Sequence, residues 1–359
     1  MDLSLKYRPK SFEDVIGQKY IVKAIKNAVK YNDISPLYLF SGPKGTGKTS
    51  IARLIAMSLS CNNIIEGNPC GSCDSCKSIL EGKYFVDVNE INTAQYTKKD
   101  DADSLILETI NYQPMISEKK VYILDECHQL SKAAQQSLLK VFEEPPDNVV
   151  FILCTTEVDK VLPTILDRSL HYSFKPIPIK LIKEKLEYIC HNEKIEIDPE
   201  AINLISKKSS GSMRKPFKIL STIGINDKIT IKDVENVVGS SDIEAAKKYI
   251  LLIGMIERSE ATKFVEDLIN NGKSFENILL ESMELMINIL KLKIENNKCI
   301  IEEYGPIKEI FNTGSKILNV LNLLESGIKR MNNSYVPENM IATIITLDII
   351  GSLEEKLKK

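Results

Sequence analysis

Apolar and polar positions follow two rhythms along the first half of the chain. Unbroken or nearly unbroken apolar runs occur at Leu37-Tyr38-Leu39-Phe40-Ser41, Lys120-Val121-Tyr122-Ile123-Leu124 and Val149 to Cys154, with a shorter one at Phe85-Val86-Asp87-Val88. Runs of this kind predict strands covered on both faces. Between them the apolar spacing changes to three and four residues. Ser50 to Ser60 aligns Ile51, Leu54, Ile55 and Leu59, and Ser131 to Phe142 aligns Leu138, Leu139 and Phe142, so both predict helices with one buried face. Strands separated by helices predict an α/β fold with a doubly wound parallel sheet. After Pro176-Ile177-Pro178 the pattern is helical almost throughout, with long stretches at Ala245 to Ile256 and Phe275 to Ile294. The chain therefore reads as an α/β domain over 1–175, a small helical lid over 176–240 and an all-helical domain over 241–359. A weaker break is expected at Asn296-Asn297-Lys298.

Composition narrows the class without changing this outline. The chain has 359 residues, 43% hydrophobic and 27% charged, which suits globular domains and excludes a disordered or collagen-like chain. Lys plus Arg is 47 against 49 Asp plus Glu, a formal net charge of −2, so a uniformly basic nucleic-acid coat is excluded and only a local basic face is allowed. Lys98-Lys99 and the lysines from Lys19 to Lys30 are the basic stretches; each reads first as a solvated face and second as a track for DNA. With no Trp and 6% aromatics, a multi-base stacking platform is not indicated. No apolar run approaches a membrane span and the first nine residues carry no signal-peptide core, so no membrane is expected and the compartment is expected to be the cytoplasm.

The first chemistry lies just after the first strand. Gly42-Pro43-Lys44-Gly45-Thr46-Gly47-Lys48-Thr49 matches G-x-x-x-x-G-K-[ST] between a predicted strand and a predicted helix. Glycines let the backbone curl so that successive N–H groups face phosphate oxygens, and the helix N-terminus adds a favourable dipole. Lys48 is placed to neutralise β and γ phosphates and Thr49 to offer a hydroxyl to Mg²⁺. Asp125 and Glu126 close the second long strand, at the sheet end where such crevices form. Asp125 is expected to hold Mg²⁺ through water and Glu126 to polarise an attacking water.

Cysteine is distributed unevenly. Cys61, Cys70, Cys73 and Cys76 have the spacing C-x8-C-x2-C-x2-C, while Cys127, Cys154, Cys190 and Cys299 are scattered. In a reducing compartment the cluster predicts a closed tetrahedral Zn²⁺ site, structural rather than catalytic, and the rest predict ordinary packing. His128, His171 and His191 share no metal spacing and receive no role.

Together these residues resemble the ATPase subunits of bacterial DNA polymerase III clamp loaders, the gamma/tau family of AAA+ proteins. Lys6-Tyr7-Arg8-Pro9-Lys10-Ser11-Phe12-Glu13-Asp14-Val15-Ile16-Gly17-Gln18 is similar to the family's opening motif, and Leu138-Leu139-Lys140-Val141-Phe142-Glu143-Glu144-Pro145-Pro146 to its L-L-K-x-x-E-E-P-P run. Thr155-Thr156 falls at its sensor 1 and Gly211-Ser212-Met213-Arg214 at its sensor 2. The match is dense to about residue 224 and thinner beyond. The resemblance implies an AAA+ P-loop domain with an inserted zinc knuckle over 61–76, the lid, and a C-terminal collar. It implies that Arg8, Pro9, Ile16 and Gln18 lie in the segment lining the adenine pocket, that Thr156 (with Thr155 the alternative) senses the γ-phosphate, and that Arg214 reaches ATP from the lid. Arg168 falls where the family has its Ser-Arg-Cys finger, which acts in a neighbouring subunit's site. Two departures stand out. The finger segment here reads Asp167-Arg168-Ser169, so Asp167 could hold the arginine in a local pair. Lys215-Pro216-Phe217 follows sensor 2, and Pro216 is compatible only with the first turn of a helix.

The resemblance further implies ATP, Mg²⁺ and Zn²⁺ as cofactors. As partners it implies delta- and delta-prime-like subunits, further copies of this chain, a sliding clamp and primed-template DNA. The chain ends at Lys359, so no tau-type tethering of helicase or polymerase is expected. The expected activity is clamp loading driven by ATP hydrolysis; the alternatives are a nucleotide-binding scaffold of the same assembly and another AAA+ DNA-processing ATPase.

Overall fold

The computed structural model describes residues 3–95, 106–224, 228–238, 240–295, 305–332 and 336–357. Lys98-Lys99 and the break expected at 296–298 lie outside them. The chain forms two compact units, 1–234 and 235–359.

The first unit is built on a five-stranded sheet. β1 (Leu37–Ser41), β2 (Val88–Asn92), β3 (Lys120–Asp125), β4 (Val149–Thr155) and β5 (Leu170–Ser173) lie in the order β2-β3-β4-β1-β5, with every neighbouring pair parallel. Period-two alternation sends the buried strand residues to two cores. Tyr38, Phe40, Val121, Ile123, Val150 and Ile152 pack on one face against α1 (Lys19–Lys30), α2 (Lys48–Ser60) and α3 (Asp74–Glu81). Leu37, Leu39, Tyr122, Leu124, Phe151 and Leu153 pack on the other against α4 (Lys132–Glu143) and α5 (Pro163–Arg168). Because helices cover both faces, β1, β3 and β4 need apolar residues at nearly every position, which is why their runs are unbroken.

Two strands differ from the sequence pattern. The strand expected at 85–88 runs instead from Val88 to Asn92, and Phe85 pairs with Val88 only as an isolated antiparallel bridge. The reason is Asp87. Its fully buried carboxylate accepts N–H bonds from Met115 (2.8 Å), Ile116 (2.7 Å) and Ser117 (2.7 Å), which turns the chain there. β5 has no unbroken apolar run because it is an edge strand, with Leu170, His171 and Ser173 exposed.

The lid elements are α6 (Ile179–Glu193), α7 (Pro199–Lys208) and α8 (Arg214–Ile223), around Ile182, Leu186, Ile189, Ile202, Ile205 and Leu220. Pro216 is the third residue of α8, where no helical N–H bond is lost. The lid seats on the phosphate loop, where Met213 N–H donates to the Gly45 carbonyl at 3.0 Å; within the lid, Ile177 N–H donates to the Gly211 carbonyl at 2.9 Å.

The second unit is helical in its described residues. Its longer helices are α9 (Ser240–Gly254), α10 (Arg258–Asn270), α11 (Phe275–Glu295), α12 (Gly314–Asn332) and α13 (Glu338–Leu357). They share one core in which Tyr249 is fully buried, meets Phe275 edge-on at 5.5 Å and hydrogen-bonds Thr346 at 3.2 Å. Among the described residues no helix is long and apolar enough to cross a membrane.

Candidate nucleotide site and cysteine cluster

The phosphate loop leaves the C-terminal end of β1 and opens α2. Its shape depends on two glycines. Gly42 has φ +135° and a Cβ there would stand 2.3 Å from the Phe174 carbonyl oxygen; Gly45 has φ +76° and a Cβ there would stand 2.0 Å from Ser212 Oγ. Neither position admits a side chain. Lys48 begins α2 and folds back over the loop, donating to the carbonyls of Gly42 (2.6 Å) and Pro43 (2.9 Å). It is buried, and burial holds its ammonium pKa below the ordinary lysine value. Thr46 is buried, with its hydroxyl on the Pro43 carbonyl at 2.9 Å.

Thr49 Oγ1 donates to Asp125 Oδ2 at 3.1 Å. A hydroxyl and a carboxylate are thus side by side at the sheet's C-terminal edge, the hard-oxygen pair that Mg²⁺ takes. Burial pushes the Asp125 carboxyl above its usual range, Thr49 pulls the other way, and the neighbouring Glu126 charge adds to the rise. An added cation would relieve that cost. Glu126 sits in left-handed backbone at φ +54°. Its carboxylate accepts from Thr156 Oγ1 at 3.2 Å and lies 3.5 Å from Lys44 Nζ.

One cavity of about 250 Å³ gathers most of the expected groups. Arg8, Pro9 and Ile16 line it from the N-terminal segment, Lys44 to Thr49 from the loop, Asp125 from the end of β3, Glu126 from just beyond it, and Arg214 from the lid. Gly42, Pro43 and Thr156 stand just behind this lining, tied to it through Lys48 and Glu126. Gln18 does not line the cavity; its amide instead bonds the backbone of Lys175 in both directions, at 2.6 and 3.2 Å. Arg168 lies at the end of α5, outside the cavity lining, and pairs with Glu143 at 2.9 Å rather than with its neighbour Asp167.

Three further groups escaped sequence reasoning. Arg53, one helical turn beyond Thr49, lines the cavity and makes a bidentate pair with Glu90 on β2, 2.6 Å for each bond. Its i+4 spacing from Thr49 was the available signal. Tyr7 lines the cavity and donates to Glu193 of the lid; burial and that carboxylate push its phenol up to about 12. His128 is buried between two carboxylates, Nδ1 being 3.6 Å from Glu126 Oε2 and Nε2 3.2 Å from Glu157 Oε1, with Thr155 Oγ1 3.0 Å from Nδ1.

The four clustered cysteines form a second site. Cys61 caps the C-terminus of α2, Cys73 is the N-cap of α3 and Cys76 lies in its first turn. Their Sγ atoms all lie within 4.8 Å of one another. A tetrahedral metal with four thiolates at about 2.3 Å needs sulfurs about 3.8 Å apart, so the set fits such a group with little movement. Backbone N–H groups of Cys70, Cys73 and Cys76 point at Sγ of Cys61 (3.2 Å), Cys70 (3.3 Å) and Cys73 (3.5 Å). Backbone N–H groups of Ser72 and Cys73 bring the Cys70 thiol down to about 6, whereas burial pushes Cys61 and Cys76 up.

With that geometry in place, the likeness to known proteins is specific. Residues 17–178 match the family model for DNA polymerase III, delta subunit, and 181–218 that for the DNA polymerase III clamp loader subunit, ATPase lid domain. The chain is 37% identical to DNA polymerase III subunit gamma of Buchnera aphidicola subsp. Schizaphis graminum over 324 residues, covering 88% of each chain. The chain belongs to the DNA polymerase III gamma/tau family. The gamma subunit of Buchnera aphidicola subsp. Baizongia pistaciae is also 37% identical, over 81% of this chain and 79% of that one. Other gamma/tau relatives are longer: subunit tau of Escherichia coli is 35% identical over 294 residues, and this chain spans 45% of its length. Among solved structures, the Thermotoga maritima RuvB Holliday junction branch migration motor aligns with 70% of this chain and 80% of that one at 22% identity, with a TM-score of 0.49.

Proposed function

We propose that this gamma/tau family chain is an ATPase motor subunit of a clamp loader, which uses ATP binding and hydrolysis to open a sliding clamp and place it on primed-template DNA. The observation carrying this reading is the convergence in one cavity of the phosphate loop, the Thr49–Asp125 oxygen pair, Glu126 and the lid arginine Arg214. In it Gly42 to Thr49 cradle the phosphates, with Lys48 released from the Gly42 and Pro43 carbonyls to meet them. Thr49 and Asp125 would hold Mg²⁺, which neutralises developing phosphate charge. Glu126 takes the proton of the attacking water as it adds to the γ-phosphorus and ADP leaves. Thr156, already bonded to Glu126, reports the γ-phosphate to that carboxylate. Arg8, Pro9 and Ile16 wall the base, Gln18 fixes the end of their segment, and Arg214 couples the lid to the nucleotide. Arg168 would complete a neighbouring subunit's site, so turnover depends on assembly with delta- and delta-prime-like subunits and further copies of this chain. We assign 1–175 to the AAA+ domain, 176–240 to the lid and 241–359 to the collar that joins subunits. Cys61, Cys70, Cys73 and Cys76 would hold structural Zn²⁺, and the reading places the protein with the replication machinery of the cytoplasm.

The test is steady-state ATP turnover with and without primed-template DNA and the cognate clamp, using Glu126→Gln as the blank. Stimulation by DNA plus clamp that is lost in the variant is the expected result. Tight ATP binding with turnover no higher than the variant in the complete assembly would replace the motor with a nucleotide-binding scaffold. The observation favouring that second reading is the engagement of Arg168 by Glu143 within its own chain.

A further inference from the structure

The cavity wall supplied by residues 7–16 has little regular structure of its own, only a single turn at Phe12–Asp14. Such a segment must be held by what it rests on, and three of its holds lie in the cysteine-rich insertion or on the helix that follows it. Arg8 Nη1 donates to the Leu80 carbonyl at 2.9 Å. Phe12 N–H donates to Asn68 Oδ1 at 3.0 Å. Lys10 lies against Gly71, where an added Cβ would stand 3.7 Å from Lys10 Cβ.

Each hold sits close in sequence to one of the clustered cysteines. Asn68 lies between Cys61 and Cys70, Gly71 lies between Cys70 and Cys73, and Leu80 lies one turn beyond Cys76 on α3. The same Leu80 carbonyl faces Arg53 Nη1 of α2 at 3.5 Å. Cys61 caps the far end of α2. The insertion between Cys61 and Cys73 has a small core: Ile64 and Ile65 are 47% and 59% exposed, its regular pairing is one isolated bridge, Ile65 to Asn68, and its buried residues are Gly67, which lies against Lys26 and Lys30 of α1, and Pro69. A loop with so small a core depends on its cross-links for a defined shape.

We infer that the cysteine cluster is a metal-dependent brace for the nucleotide cavity: with metal bound it fixes Asn68, Gly71 and Leu80, and through them positions Arg8, Lys10 and Phe12, so that metal occupancy sets the affinity for the base end of the nucleotide. This rests on the reading that the cavity binds ATP with residues 8–18 at its base. The phosphate end is formed by β1, β3 and the N-terminal end of α2, the end opposite Cys61. The brace therefore acts on the nucleotide and leaves a bare polyphosphate unaffected. Asn68 is a positioning residue in this scheme.

The experiment is calorimetric titration of the full chain with Mg·ATP and, separately, with Mg·tripolyphosphate. It is run on zinc-loaded protein, on protein stripped by a chelator in reducing buffer, and on zinc-loaded Asn68→Ala, with metal content measured for each. Stripping is expected to weaken ATP binding by about tenfold or more while tripolyphosphate stays within about twofold, as loss of several modest polar contacts predicts. Asn68→Ala, with its zinc retained, is expected to weaken ATP about fivefold and leave tripolyphosphate unchanged. ATP affinity indifferent to metal, or equal losses for both ligands, overturns the brace. Zinc-loaded wild type that binds tripolyphosphate but not ATP overturns the ATPase reading and the brace with it.

Discussion

Arg168 at the C-terminus of α5 and Glu143 at the C-terminus of α4 form an ion pair of 2.9 Å, with both side chains 41% exposed. Arg168 also donates to the Thr164 carbonyl one turn back, at 3.2 Å. The arginine expected to act in a neighbouring site is thus parked by the first glutamate of the Glu143-Glu144-Pro145-Pro146 run. A pair this exposed is worth less than about 1 kcal/mol, so under the proposed function a neighbour's triphosphate would draw the guanidinium away. Glu143→Gln is expected to leave urea stability within about 0.5 kcal/mol and to raise ATP turnover of the assembled oligomer. Arg168→Ala should lower that turnover by roughly 10³. Turnover that falls in Glu143→Gln would mean that the pair belongs to the working geometry.

Lys48 offers a separation of stability from binding. Burial lowers its pKa while two carbonyls hold its ammonium at 2.6 and 2.9 Å, so its desolvation cost and hydrogen bonds oppose each other. Lys48→Met should therefore change the melting temperature of the nucleotide-free protein little. Wild type at a hundredfold excess of ATP over Kd gains about 2.7 kcal/mol of apparent stability; the variant should gain none. A thermal-shift series with and without Mg·ATP reads both quantities, and a nucleotide shift that survives the substitution would remove Lys48 from the site.

Much of this architecture is legible in the sequence because burial on both sheet faces forces β1, β3 and β4 to be unbroken apolar runs. The phosphate loop is legible because a tight anion-binding turn requires glycines at fixed offsets. Edge strand β5 carries no such constraint, and β2 moved three residues because the pairing of Asp87 with the 115–117 backbone is non-local. The same limit applies to the site. Arg53 and Glu90 are 37 residues apart, and Glu143 meets Arg168 across two helices. His128 carries no signal in the sequence because its partners, Glu126, Thr155 and Glu157, converge only once β3 and β4 are paired. The cluster spacing indicated a metal, but the bonds from Arg8 to Leu80 and from Phe12 to Asn68 lie in no motif.

The approach of the lid to the loop is steric and can be tested as such. At Gly45 an added methyl meets Ser212 Oγ at 2.0 Å in a backbone of φ +76°, and Met213 N–H bonds the same residue's carbonyl. Gly45→Ala should weaken ATP binding strongly by forcing lid and loop apart. Gly45→Ala with Ser212→Gly removes the clash and should recover part of the affinity, but not all, because left-handed φ still costs an L-residue about 1 kcal/mol. Calorimetric titration of the single and double variants measures the recovery. No recovery in the double variant would place the cost in the loop backbone alone.

Asp87 sets a pH dependence whose sign follows from its surroundings. Burial of its carboxylate works to raise the pKa, but N–H groups of Ser117, Met115 and Ile116 outweigh it, and the net value is lowered. In the unfolded chain an aspartate titrates near its usual value of about 3.9. A folded pKa below the unfolded one gives stability that is fully present above the unfolded value and is lost as pH falls through the folded one. Ser117 Oγ also bonds Ser60 Oγ at 2.8 Å, so this turn anchors the last residue of the phosphate-loop helix. Asp87→Asn presents an amide donor to N–H groups that need an acceptor, and should cost about 1–3 kcal/mol at pH 7. Urea unfolding of wild type and variant side by side from pH 7 to pH 3 measures the difference, which cancels the titration of all other carboxylates. The gap is expected to hold steady to about pH 4 and to narrow below it. A gap that stays constant to pH 3 would show that charge on Asp87 contributes nothing and that its geometry alone holds the turn.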